Sequence, residues 1–240
     1  MTDPNYTHVS FILDESGSMG SVRDDVIGGF NTMMAEQRAA EGKLTVSLCK
    51  FGTHLDNNYQ KVYSCVVAAE VPDLSQATFA PSGGTPLLDA VGRHINELGN
   101  VLRSMPEQQR PSKVIVVIMT DGQENQSREF TSKAQIAEMI KRQEDEFSWT
   151  FVYMGANVDA LGESSAFGVS AKNAVAYTSS KRGTSVAYAA ASRGLLRARG
   201  LSSGASLNAQ GFYGASNSAE DFLAQATEDT DSTDESTERV

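Results

Sequence analysis

The stretch "DESGSMG", Asp14 to Gly20, places a carboxylate and two hydroxyls, Asp14, Ser16 and Ser18, at alternate positions directly after the apolar run "HVSFIL". Two more oxygen-bearing side chains stand at similar junctions. Thr85 follows the Gly83-Gly84 pair and precedes Pro86 at the head of an amphipathic stretch, and Asp121 follows "KVIVVIMT". Two carboxylates and three hydroxyls suit a small, hard cation, because magnesium takes six oxygens near-octahedrally at about 2.0–2.1 Å and keeps several waters. Asp14 and Asp121 would supply the negative charge, directly or through water, while Ser16, Ser18 and Thr85 supply neutral oxygens. An ion held this way stays electrophilic, and a carboxylate from another molecule can complete it. Manganese and calcium also take oxygen ligands, so the donor set predicts a divalent cation, magnesium first. The alternative is structural: Asp14 and Ser16 cap the helix after Gly20, and Thr85 caps its own.

For these residues to meet, the elements before them must share one sheet edge. Apolar runs alternate with amphipathic ones, the pattern of helices covering a mostly parallel sheet. "HVSFILD", "LTVSLCKF", "YQKVYSCVVAAEV", "KVIVVIMTDG", "WTFVYMGAN" and "NAVAYTS" are expected as strands. The polar turn "GTHLDNN" makes the second and third a hairpin, hence one antiparallel edge strand. Helices are expected over "SVRDDVIGGFNTMMAEQRAA", "TPLLDAVGRHINELGNVLRSM", "TSKAQIAEMIKRQEDEF", "VDALGESSAFG" and "TSVAYAAASRGLLRARG". In an open parallel sheet the carboxyl ends of the strands line one edge, where ligand crevices form. Asp14 and Asp121, 107 positions apart, can therefore be close in space.

Composition narrows the function classes. No apolar run reaches the roughly eighteen residues of a membrane span, and no basic start with an apolar stretch and cleavage site opens the chain, so the expected address is the cytoplasm. The net charge is -10, but the segment from Glu220 to Val240 carries eight acidic residues and one basic residue, leaving the remainder nearly neutral. Neither part has the basic footprint of a nucleic-acid binder. Beyond Gly200 the chain turns to Gly, Ser, Ala and Asn and then to acid, so residues 200–240 are expected as a flexible linker and a disordered acidic tail. Within it Phe212, Tyr213 and Phe222 are candidates for local docking. Cys49 and Cys65 are expected as reduced thiols on neighbouring strands, facing each other at most across the hairpin.

"DESGSMG" resembles the Asp-x-Ser-x-Ser signature of von Willebrand factor type A (vWA) domains, which carry a metal-ion-dependent adhesion site. Thr85 in "SGGTPLLDA" matches that family's second-loop threonine and Asp121 in "MTDGQEN" its third-loop aspartate. The similarity covers roughly residues 6–199 and is nearest to short stand-alone bacterial and phage domains, judged by "TDGQENQSREFT" and "WTFVYMGANVDA". It implies an α/β, Rossmann-like vWA fold with helices on both faces of the sheet. It also implies direct coordination by Ser16, Ser18 and Thr85, with Asp14 and Asp121 often acting through water. The implied function is a protein-binding module whose divalent cation captures an Asp or Glu of a partner. That partner could be a virion or structural protein, or an ATPase of the AAA+ class for which the domain acts as an adaptor.

A magnesium-dependent phosphohydrolase of the haloacid-dehalogenase type also ends its first strand in Asp, but it needs a second carboxylate two residues later. Ser16 stands there instead. No phosphate-binding Gly-x-x-x-x-Gly-Lys loop and no nucleophile elbow is present, so no enzyme activity is expected. Among the neighbouring residues, Glu15 reads as a charge on the loop rim. Asp89 reads as a solvated first-turn acid, with an outer role at the ion as the alternative. Glu124 and Asn125 either rim the site or form the turn. Met19, Gln123 and Glu124 are the candidates for choosing a partner, with packing against the first helix as the alternative for Met19, and Trp149 is expected in the core.

Overall fold

Among the described residues, six strands form one sheet in the order β3-β2-β1-β4-β5-β6. The computed structural model describes residues 2–156, 160–201 and 207–213. The strands are β1 (Asp3–Asp14), β2 (Lys43–Phe51), β3 (Tyr59–Val67), β4 (Pro111–Thr120), β5 (Thr150–Gly155) and β6 (Ala174–Ala176). All neighbours pair in parallel except β2 and β3, which form the expected antiparallel hairpin. The α-helices of the described residues are α1 (Arg23–Ala39), α2 (Leu87–Ser104), α3 (Lys133–Phe147), α4 (Ala160–Ala166), α5 (Lys181–Gly200) and the short α6 (Leu207–Gln210).

Side chains that alternate across each strand feed two cores. Val9, Phe11 and Leu13 of β1, with Ile115, Val117 and Met119 of β4, pack on the face covered by α1 and α5. Ile12, Val114, Val116 and Ile118 point the other way, under α2 and α3. β4 has the near-continuous apolar sequence of a strand buried on both faces, whereas β1 also buries His8 and Ser10, which bond to the Thr45 and His94 side chains. Trp149 is buried in the second core.

The hairpin register sets Cys49 opposite Lys61, so the two cysteines do not face each other. Two register shifts in that pairing and a left-handed backbone at Cys65 (φ 53°) displace the strand, as β-bulges do. Among the described residues no helix is long and apolar enough to cross a membrane. The acidic tail and Phe222 lie outside the described residues, but Phe212 and Tyr213 are both buried. Gly194 of α5 has no Cβ, leaving room for the Phe212 ring. Arg197 donates to the carbonyls of Gly211 and Phe212, and the Asn173 side chain accepts from the Phe212 N–H at 2.7 Å.

Strand order places the crevice. From β1 the chain moves to β2 on one side, and from β4 it moves to β5 on the other, so the direction of winding reverses between β1 and β4. Loops leaving these two strands diverge and open a gap between them. Asp14 ends β1, and Asp121 follows the last residue of β4.

Candidate metal centre

Leu13 pairs with Met119 across β1 and β4, which sets the next residues, Asp14 and Thr120, side by side at the switch point. The Thr120 hydroxyl donates to Asp14 Oδ2 at 2.6 Å, and the Ser16 N–H donates to Asp14 Oδ1 at 2.7 Å. Ser18 Oγ lies 3.2 Å from Ser16 Oγ and donates to Asp121 Oδ1 at 2.6 Å. The first and third loops are thus joined through the predicted oxygens themselves.

Thr85 arrives from the second loop. Gly17 N–H donates to the Gly83 carbonyl at 2.9 Å, a backbone crossing with little room for side chains. Gly83 sits at φ 74°, a left-handed conformation that glycine adopts without cost. A Cβ on Gly122 would lie 3.0 Å from Thr85 Oγ1 and 3.6 Å from Ser18 Oγ. The Thr85 and Ser18 hydroxyls therefore converge beneath Gly122. All five predicted residues lie at one end of the β1–β4 gap.

Neither Ser16 nor Thr85 spends its side chain as a helix cap. The short 3-10 turn Gly17–Val22 begins without a side-chain cap bond from Ser16, and α2 begins without one at Pro86. The first donors of α2 are taken from elsewhere: Glu124 Oε2 accepts from Leu88 N–H at 2.8 Å and Ser127 Oγ from Asp89 N–H at 3.0 Å. The Thr85 hydroxyl is left for another use.

Asp14, Ser16 and Thr85 are buried, Asp121 nearly so, and Ser18 is open to solvent. Burial pushes the Asp14 carboxyl up to about 6, against bonds from Thr120 and Ser16 that pull it down, and Asp121 adds to the rise. Burial also raises the Asp121 carboxyl, opposed by its Ser18 bond. Two carboxylates whose charge is disfavoured by burial gain from a cation between them. Oxygen-only donors, two of them anionic, fit a hard divalent ion.

Two neighbours, Glu15 and Asp89, differ from expectation, while Glu124 and Met19 take the alternatives of turn-forming and packing. Glu15 is not a rim charge. It is buried, its carboxylate lies 2.9 Å from Lys50 Nζ, and its Oε1 accepts from Ala80 N–H at 2.6 Å, tying the first loop to the second. Asp89 is likewise buried rather than solvated. It accepts from the N–H groups of Arg128, Glu129 and Phe130 at 2.8–2.9 Å and so pins the far end of the third loop to α2. Glu124 is turned inward as the organiser of its own turn, with Oε1 accepting from Gln126 and Ser127 N–H. Met19 is fully buried, which leaves Gln123 as the exposed member of the three partner-choosing candidates. Glu15 and Asp89 were missed as organisers because an acid in a loop or in the first turn of a helix gives no sequence sign of burial.

Solved structures share this arrangement of strands and helices. The chain aligns with the pilus adhesin SpaC of Lactobacillus rhamnosus GG at a TM-score of 0.61 and 13% identity, over 80% of this chain and 30% of that one. A von Willebrand factor type A protein from Catenulispora acidiphila aligns at 0.51 and 17%, over 80% and 43%. The fold is that of a vWA domain. Proximal thread matrix protein 1 of the mussel byssus, solved with a zinc-occupied metal-ion-dependent adhesion motif, aligns at 0.55 and 13%, over 80% and 46%. This chain spans less than half the length of each of these proteins. No protein-family model and no curated protein matches the sequence.

Proposed function

We propose that residues 6–199 form a metal-dependent protein-binding module without enzymatic activity. In it Asp14, Ser16, Ser18, Thr85 and Asp121 hold a divalent cation, magnesium first, and the cation captures a carboxylate of a protein partner. The observation that carries this is the convergence of three hydroxyls and two buried carboxylates at the β1–β4 switch point, with neither Ser16 nor Thr85 used as a helix cap. The zinc-occupied motif of the mussel protein and the adhesin role of SpaC, each on the same fold, support it.

When bound, the metal supplies a Lewis-acidic position for an incoming oxygen ligand. The chain's own residues orient that position. Thr120 fixes one oxygen of Asp14 and the Ser16 N–H the other, so the Asp14 carboxylate cannot turn away from the gap. Ser18 holds Asp121 in the same way. The exposed described residues of these loops include the uncharged Gly20, Ser21, Ser82, Gln123 and Gln126.

Calorimetric titration of Mg²⁺ and Mn²⁺ into metal-free protein tests the proposal, with an Asp14→Ala, Ser16→Ala double variant as control. Saturable one-to-one uptake that the double variant loses is the expected result. No uptake by the wild type, or equal uptake by both, would sink it.

A further inference from the structure

Thr85, like Ser16 and Asp121, belongs to no helix and no strand. Its position must come from somewhere else. Its N–H donates to Asn125 Oδ1 at 2.9 Å, and its carbonyl accepts from Asn125 N–H at 3.2 Å. Both backbone polar groups of Thr85 are therefore met by a single residue of the third loop, 40 positions away. An N–H can only donate, so the amide oxygen of Asn125 is the atom that must face it.

We propose that Asn125 is a positioning residue of the metal centre, clamping Thr85 so that its hydroxyl stands beside those of Ser16 and Ser18; this rests on the metal-binding function proposed above. Three further features make the clamp rigid. Glu124, the preceding residue, closes the turn by accepting from Gln126 and Ser127 N–H and fastens it to α2 through Leu88 N–H. Gly84 permits the approach, since a Cβ there would lie 3.1 Å from Asn125 Oδ1 and closer still to the Gln126 side chain. Gly122, on the same loop, rests against Thr85 Oγ1. The third loop thus fixes both the backbone and the hydroxyl of Thr85, while Asn125 itself is exposed and contributes nothing to the core. Outer groups that orient metal ligands are typically worth about 10–100-fold in affinity.

Three proteins separate this role from a merely structural one: wild type, Asn125→Ala, and Asn125→Asp, which keeps the accepting oxygen. Mn²⁺ titration is paired with amide hydrogen exchange at Thr85 in the metal-free state. Asn125→Ala is expected to lose at least about tenfold in Mn²⁺ affinity and to lose protection at the Thr85 amide. Its metal-free melting temperature should change by less than about 5 °C. Asn125→Asp is expected to keep Thr85 protected and to bind Mn²⁺ at least as well as wild type. Unchanged Thr85 protection in Asn125→Ala overturns the clamp whether or not metal binds. Lost protection with unchanged Mn²⁺ affinity overturns the positioning role. A wild type that protects Thr85 yet takes up no Mn²⁺ overturns the metal centre itself, and with it any role of the clamp toward a metal.

Discussion

Ser16 and Thr85 carry hydroxyls that ordinary helix capping would consume; the turn after Ser16 begins without a side-chain cap bond, and at α2 Glu124 and Ser127 take the first donors. Gly122 offers a sharp probe of what the hydroxyls are for. It has no positive φ, so alanine there costs little in backbone conformation, yet the added methyl would sit 3.0 Å from Thr85 Oγ1 and 3.6 Å from Ser18 Oγ. Gly122→Ala is expected to lower Mn²⁺ affinity by about tenfold or more, the range found for groups that orient ligands, with little change in the melting temperature of the metal-free protein. An unchanged affinity would mean that these two hydroxyls do not share an ion. The five oxygen-bearing side chains stood out in the sequence because they recur at three strand-to-helix junctions, whereas an Asp-x-Ser-x-Ser run alone is also the chemistry of helix caps and turns. Asp89 and Glu15 did not, because what distinguishes them is burial against backbone N–H groups and a lysine brought from elsewhere.

Between elements, β1 and α2 are joined by a buried histidine. His94 Nε2 lies 2.6 Å from Ser10 Oγ, and its Nδ1 lies 3.2 Å from the Tyr59 hydroxyl. Burial lowers His94 from 6.5 to about 4, with Lys61 adding to the effect. Burial also lowers His8, on β1, to about 3, with His94 contributing. In the unfolded chain both titrate near 6.5, so below that pH the unfolded state binds more protons than the folded one. Stability is complete above 6.5 and is lost as pH falls toward 4 for His94 and toward 3 for His8. Each histidine costs about 2 kcal/mol by roughly pH 5. Asp14, raised to about 6, gains stability over the same window and offsets part of this loss, so the comparison between proteins is the test. Between neutral pH and about pH 5 in urea denaturation, His94→Gln should lose about 2 kcal/mol less than wild type. An equal pH dependence in wild type and His94→Gln would place the effect in other groups. The strands and helices themselves were readable from periodicity, but the bonds between them were not, since residues 84 positions apart meet only once the sheet forms.

Across the whole molecule, the body continues past the end of α5. Phe212 is wholly buried and Tyr213 nearly so, in a stretch whose surrounding composition suggests nothing that folds. Truncation after Gly200 is expected to cost about 3–5 kcal/mol, the typical loss on removing a buried aromatic side chain, seen as a fall in melting temperature. Truncation after Tyr213 keeps the docked pair and serves as the comparison. Equal melting temperatures for the two truncated chains would show that the pair adds no stability.

The sequence by itself determined the strand and helix pattern, the antiparallel hairpin and the oxygen donors at three strand-to-helix junctions, because periodicity and turn chemistry are local properties. Only the tertiary structure decided that the direction of winding reverses between β1 and β4, bringing Asp14 and Asp121 to one crevice. It alone decided that Glu15, Asp89 and Asn125 hold the loops together and that Phe212 belongs to the core. The physical reason is the same in each case. A buried polar or aromatic group is defined by the partners that surround it, and those partners come from parts of the chain that only folding brings within reach.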